Sequence, residues 1–255
     1  MVSEIVLPNP KAEPPQRLYE QELLRLKDPM ALKSRLADIA MTKNFRRIYV
    51  MGCGRSGTWI LTHVMRTFKD TDVVLSELAF EYFGLLTTAS AVLVLKRDHV
   101  AYQRVEMIPE CIEIAWIVRH PFDVLTSHLP SSQRPYHILP QRWLGEMAAL
   151  RYLLDTGRKQ TKIIRYEDLV AAPRETQSDL AGFFGLSKAH PIENLQTISN
   201  NPSEGPKYRG RTLDTDSIER HKRDPEKVKY LREIKPGLGE MLEWVSNTYH
   251  YDILL

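Results

Sequence analysis

The chain has 255 residues, 43% hydrophobic and 26% charged, with 35 Lys and Arg against 32 Asp and Glu for a formal net charge of +3. That length can bury a substantial core, the composition excludes a disordered chain or a coiled coil, and the near-balance of charge speaks against a nucleic-acid partner. Two cysteines, Cys53 and Cys111, cannot build a disulfide framework or a CxxC metal site, and eight scattered histidines lack ligand spacing.

Residues 1–16 are Pro-rich and acidic before any apolar run, which reads as an irregular arm and not a signal peptide. No stretch approaches the roughly 20 apolar residues of a membrane span, so a cytoplasmic location is expected. Residues 17–255 read as a single domain. Residues 17–42 have helical spacing, broken near Asp28-Pro29, and Arg46 to Met51 is a strand with an apolar end. The turn Gly52-Cys53-Gly54-Arg55-Ser56-Gly57 follows, then a helix from Thr58 to Phe68. Val73 to Leu75 reads as a short strand and Glu77 to Leu86 as a helix. Ala91 to Leu95 and Ile112 to Val118 are apolar throughout, as in strands buried on both faces. Pro121 opens a helix running to His128, and residues 140–156 form a longer one. Lys162 to Arg165 is a strand, Pro173 to Phe184 a helix stopped by Gly185, and helices close the chain over 225–250. Strands alternating with helices predict an α/β, three-layer domain around a central parallel sheet of about five strands.

A strand, a glycine-rich turn and a helix together make an anion site, because backbone N–H groups and the helix dipole face the ligand. Gly52, Gly54 and Gly57 let the backbone approach phosphate oxygens; Arg55 adds charge, and Ser56 and Thr58 add hydroxyls. The spacing from Gly52 to Gly57 fits the start of a nucleoside-triphosphate P-loop, but the Lys and Ser/Thr that should follow are Thr58 and Trp59. That weighs against a kinase or NTPase. A glycine turn that merely joins strand to helix is the plainer alternative.

The string Met51 to Thr58 resembles the 5′-phosphosulfate loop of the sulfotransferases that use 3′-phosphoadenosine 5′-phosphosulfate (PAPS). Its arginine is the form typical of the carbohydrate and tyrosylprotein enzymes. Ile117-Val118-Arg119-His120-Pro121-Phe122-Asp123 with Ser127 looks like the family's 3′-phosphate motif. Arg165-Tyr166-Glu167-Asp168-Leu169, followed by Phe183-Phe184-Gly185-Leu186, resembles a third family string, whose tyrosine contacts adenine in some members. Lys207-Tyr208-Arg209-Gly210-Arg211 more loosely resembles the family's late basic loop at the 3′-phosphate. The resemblance spans residues 46–250. It implies that Gly54, Arg55, Ser56, Gly57, Thr58, Arg119, Ser127, Tyr166, Lys207, Arg209 and Gly210 hold PAPS as a co-substrate, with no metal. Trp59 stands where the family has a second hydroxyl residue. It either touches the nucleotide or packs against the sheet.

For the base that takes the acceptor's proton, the two branches of the family point to different residues. The carbohydrate branch uses a glutamate after the second strand, which is Glu77, with Glu81 nearby. The small-molecule branch uses a histidine after the third strand, where Leu95-Lys96-Arg97-Asp98-His99 puts Asp98 in register and His99 one place late. Glu77 is preferred because Arg55 follows the same branch, and His99 is the rival. Arg55 stabilises charge at the phosphosulfate, and Lys96 either assists the leaving group or is a surface residue. Residues 129–139 are either an acceptor-side loop or a plain connector, and the charge run over 219–224 is a nucleotide lid or a solvated face. The acceptor is a small molecule or a carbohydrate, with sugar, lipid headgroup, phenol and peptide tyrosine all open. A P-loop kinase or NTPase, or a catalytically degenerate nucleotide-binding protein, is the alternative function.

Overall fold

Alternate side chains of one central strand, β2 (Arg46–Gly52), enter two separate cores. Ile48 and Val50 pack with Ile60, Leu61 and Phe184 on one face, and Tyr49 and Met51 pack with Phe80, Trp116 and Trp143 on the other. A strand that is apolar on both faces needs a layer on each, and that need produces the three-layer architecture.

The computed structural model describes residues 5–6, 45–84, 86–128, 134–195 and 213–255. The expected helix over 17–42 and the basic loop with Lys207, Arg209 and Gly210 lie outside the described residues. Within the N-terminal arm, Ile5–Val6 forms a short strand, β1, parallel to β4 (Leu86–Thr87). The main sheet adds β3 (Thr71–Leu78), β5 (Val92–Arg97), β6 (Ile112–Val118) and β7 (Thr161–Arg165) to β2. Its order is β3-β5-β2-β6-β7, with every neighbouring pair parallel. The helices are α1 (Thr58–Met65), α2 (Pro121–Leu125), α3 (Pro140–Asp155), α4 (Tyr166–Ala171), α5 (Pro173–Phe184), α6 (Pro225–Ile234) and α7 (Gly239–Tyr249). α1, α4 and α5 cover the face of Ile48, while α3 and α7 cover the face of Tyr49.

The fold class and five-strand parallel sheet agree with the sequence reading. One element does not. The predicted helix from Glu77 is absent, because β3 continues through Leu78 and only a 3₁₀ turn, Phe80–Gly84, follows. Phe80, Tyr82 and Phe83 are fully buried there, so core packing overrides the helical spacing of the segment. Glu77 is therefore a strand residue, and it does not share a helical face with Glu81.

The order of the strands locates the ligand site. From β2 the chain first builds outward on one side, through β3 and β5, and then on the other, through β6 and β7. Open parallel sheets bind ligands at the carboxyl ends of strands on either side of such a reversal. The turn of residues 53–57 leaves the carboxyl end of β2 at that point, as expected from the sequence.

Candidate active site

Five strand ends bring the site together. Glu77 sits near the end of β3, Lys96 near the end of β5, and the glycine turn directly after β2. Arg119 follows β6, and Tyr166 follows β7.

The turn keeps its shape through two backbone positions that disfavour a side chain. Gly52 has φ +141°, and a Cβ there would lie 2.5 Å from the Ile117 carbonyl oxygen. Gly57, the N-cap of α1, has φ +107°, and a Cβ there would lie 2.6 Å from the Tyr166 ring. Arg55 is itself left-handed at φ 69°, a conformation that costs a non-glycine residue roughly 1–3 kcal/mol. Buried Ser56 closes the turn from within, its backbone N–H and its hydroxyl both donating to the Cys53 carbonyl, at 3.0 and 2.7 Å. Ser56 therefore holds the loop with its side chain. Thr58 is buried at the first position of α1.

Two motifs far apart in sequence meet at this turn. Arg55 Nε donates to Ser127 Oγ at 2.8 Å, and Arg119 Nη1 donates to the Arg55 carbonyl at 3.3 Å. Arg119 Nη2 donates to the Ser217 carbonyl at 2.5 Å, and its guanidinium lies 4.2 Å from the centroid of the Tyr166 ring. Arg119 Nε is buried with no hydrogen-bond partner. Asp123 lies 3.8 Å from Nη2, so the guanidinium is only loosely paired. A guanidinium nitrogen without a hydrogen-bond partner beside a glycine turn with room only for backbone suits a phosphate, and so these residues fit the nucleotide end of PAPS.

Tyr166 is placed beneath this arrangement. It is 3% exposed, with Gly57 at its edge, Arg119 over its face and its hydroxyl 2.6 Å from Ser217 Oγ. In this conformation its ring supports the loop and Arg119. Trp59 faces the other way. It packs edge-on to His63, and Lys96 Nζ lies 5.1 Å from its ring centroid, on the β3–β5 side.

On that side a β-bulge brings the key pair together. The register of β3 against β5 shifts between Val74 and Glu77, so that Glu77 rather than Leu75 stands opposite Lys96. Lys96 Nζ, 6% exposed, donates to Glu77 Oε1 at 2.5 Å, while the rest of the Glu77 side chain remains half-exposed. Burial pushes the Glu77 carboxyl up, but Lys96, with Arg97 and His99 behind it, holds it below the ordinary carboxylate value. His99 is exposed, and its carbonyl accepts from Arg142 Nη2 at 3.4 Å. The other two carboxylates weighed as base are occupied elsewhere. Glu81 is buried in an ion pair with Arg104, and Asp98 accepts from the Val100 N–H at 3.1 Å.

No family model and no curated protein matches the sequence. Solved structures do. The sulfotransferase domain of the curacin biosynthetic pathway aligns with 84% of this chain and 100% of that domain, at 16% identity and a TM-score of 0.57. The sulfotransferase domain of the Synechococcus PCC 7002 olefin synthase aligns with 84% of this chain and 98% of that domain, at 16% identity and a TM-score of 0.59. This chain has the sulfotransferase fold.

Within the sulfotransferase fold, the structure adds one residue that the sequence had left inside the segment 129–139. His137 N–H donates to the Ser127 carbonyl at 3.0 Å, and neighbouring Ile138 lies against Gly54. Burial, and then the charges of Arg142, Arg55 and Arg134, push the His137 imidazole below its ordinary value, against the pull of Glu77. A lone histidine in a polar connector carries no periodic signal, and only the contact with Ser127 reveals it. Among the described residues no group of His, Cys, Asp and Glu could hold a metal ion, and no helix is long and apolar enough to cross a membrane.

Proposed function

We propose that the chain is a PAPS-dependent sulfotransferase acting on a hydroxyl-bearing acceptor. The observation that carries this reading is the meeting of Arg55, Ser127 and Arg119 at the glycine turn, two phosphate-type motifs joined by direct hydrogen bonds. A loop whose sole role is to connect strand to helix has no need of an Arg–Ser bridge or of a buried, unpaired guanidinium nitrogen. Thr58 stands where a kinase or NTPase carries its P-loop lysine, so that alternative lacks its central charge.

In the reaction an acceptor oxygen attacks sulfur, and the bond from sulfur to the 5′-phosphate oxygen breaks. The products are a sulfate ester and 3′,5′-adenosine bisphosphate (PAP), and the acceptor's proton passes to a base. The backbone N–H groups of the turn and Arg55 stabilise the charge that builds on the departing phosphate oxygens. Arg119 and Ser127 hold the 3′-phosphate. Glu77 is the proposed base. It lies near the carboxyl end of β3, on the same edge of the sheet as the glycine turn, and Lys96 keeps it ionised at neutral pH. A carboxylate so held is a weak base, so the proton moves as the sulfur–oxygen bond forms. His99, the rival, lies at the exposed rim.

The test is a thermal-shift comparison of PAP with ATP and magnesium. Stabilisation by PAP alone is expected, since a ligand binding only the folded state raises its stability with concentration. Stabilisation by ATP with magnesium alone, or by neither ligand, would contradict the reading.

A further inference from the structure

The charges on the Glu77 side are unbalanced, and that imbalance points to the kind of acceptor. Arg142, on the first turn of α3, lies close to the glycine turn, its Nη2 3.6 Å from where a Cβ on Gly54 would stand. Its side chain is 26% exposed, so part of it meets solvent beside the turn. The Nε is buried with no hydrogen-bond partner, and Nη2 reaches only the His99 carbonyl and, at 3.7 Å, Glu146.

Glu146 cannot neutralise Arg142 fully. It is fully buried and lies closer to Arg97, at 3.3 Å, so two guanidinium groups share one carboxylate. Burial also pushes Glu146 up to about 7, against the pull of Arg97 and Arg142, and so near neutral pH it carries only part of its charge. Among the described residues the other acids facing this corner are already paired, Glu77 with Lys96 and Asp98 with Arg104 at 3.7 Å. Arg55 is committed to the donor. The excess is local, because the whole chain carries a formal net charge of only +3.

We infer that the acceptor carries a carboxylate beside the hydroxyl to be sulfated, and that Arg142 binds it. This rests on the sulfotransferase reading above. A neutral acceptor would displace water from Arg142 and offer no charge in return, whereas an anion makes a charge-assisted hydrogen bond to the unpaired edge of the guanidinium. The residue then selects substrate, and Glu77 at the end of β3 remains free to take the proton.

The experiment measures transfer from PAPS to two matched pairs, 4-hydroxyphenylacetate with 4-hydroxyphenylacetamide and 3-hydroxybutyrate with 3-hydroxybutyramide. PAP affinity is measured in parallel by calorimetry. The carboxylate member is expected to lead in kcat/KM by about tenfold or more in at least one pair, the scale of a hydrogen bond to a charged group. Arg142→Gln should abolish that preference while PAP affinity stays within about threefold, and Arg142→Lys should restore most of the preference. Amides used as well as carboxylates, an Arg142→Gln loss equal for both members, or no transfer to any of the four while PAP binds, would overturn the inference and leave the sulfotransferase reading standing. Failure of PAP itself to bind would remove both.

Discussion

The two halves of the sheet edge, on either side of the glycine turn, are built in opposite ways. On the β6–β7 side, the bonds around Arg119 are buried and interlocked. Asp123 Oδ2 accepts from the Glu219 backbone N–H at 2.8 Å, and its Oδ1 accepts from the His221 backbone N–H at 3.1 Å and lies 2.8 Å from His221 Nδ1. His221 stacks on His120, whose Nε2 lies 2.8 Å from the Asp252 carbonyl, and Glu167 accepts from the His120 N–H and the Tyr251 hydroxyl. The segment after residue 213 and the C-terminal residues are thus fastened onto α2. On the β3–β5 side, Glu77 and His99 are exposed, Lys96 pairs with Glu77, and Arg142 shares the single carboxylate of Glu146 with Arg97. A nucleotide that never changes can be held by a rigid, buried wall. An acceptor needs an open wall with charge to spare, and its groups are the less constrained ones.

The contrast predicts that mutations on the two sides separate chemistry from donor binding and stability. The largest effect is expected at the base. Glu77→Gln should lower turnover roughly 10²- to 10⁴-fold, the usual loss on removing a general base, with PAP affinity unchanged in calorimetry. A comparable loss for His99→Ala with Glu77→Gln near wild type would transfer the role to His99. On the other wall, Asp123→Ala removes the partner of a buried, multiply bonded network and should cost about 3–5 kcal/mol in denaturant unfolding. Glu77→Gln should cost less than that, because the Glu77 side chain is half-exposed, although it leaves the buried Lys96 ammonium without its carboxylate.

A pH effect on stability belongs to the same wall. Burial pushes His120 down to about 4 from an ordinary 6.5, and its Nδ1 accepts from the Phe122 N–H, which requires the neutral ring. The unfolded chain therefore takes up this proton first as pH falls. Stability should drop by about 3 kcal/mol between pH 6.5 and 4, and His120→Gln should remove that part of the slope in unfolding curves taken across the range. The smallest effect is on the open wall. Lys96→Met removes the charge that lowers Glu77, so the acid limb of the kcat profile should move to higher pH. An acid limb that stays in place would mean that Glu77 does not set it.

Much of this architecture could be read from the chain because its signals are local. The apolar runs in β5 and β6 could only be doubly buried strands, and the glycine turn with Arg55 follows a strand and opens a helix, as its spacing required. Pro121, just past the apolar run of β6, marked the start of α2 in the same way. The β3–β5 wall was less legible, because its geometry depends on pairing. A bulge between Val74 and Glu77 sets Glu77 opposite Lys96, and a bulge leaves no mark in a single segment. Three aromatics buried at 80–83 turned an apparent helix into a strand end and a 3₁₀ turn. Tyr166 was recognised by its motif, but its burial under Arg119 follows from packing with Ser217, 51 residues away. His137 and Arg142 lie in no motif at all.

The central claim, that the β6 side holds the 3′-phosphate of PAPS, is tested most directly by calorimetric binding to the wild type and to Arg119→Ala. The ligands are PAP and adenosine 5′-phosphosulfate, which lacks the 3′-phosphate. PAP should lose about 10- to 100-fold in affinity in the variant, the scale of a charged hydrogen bond, while adenosine 5′-phosphosulfate loses far less. Equal losses for both ligands would contradict the account.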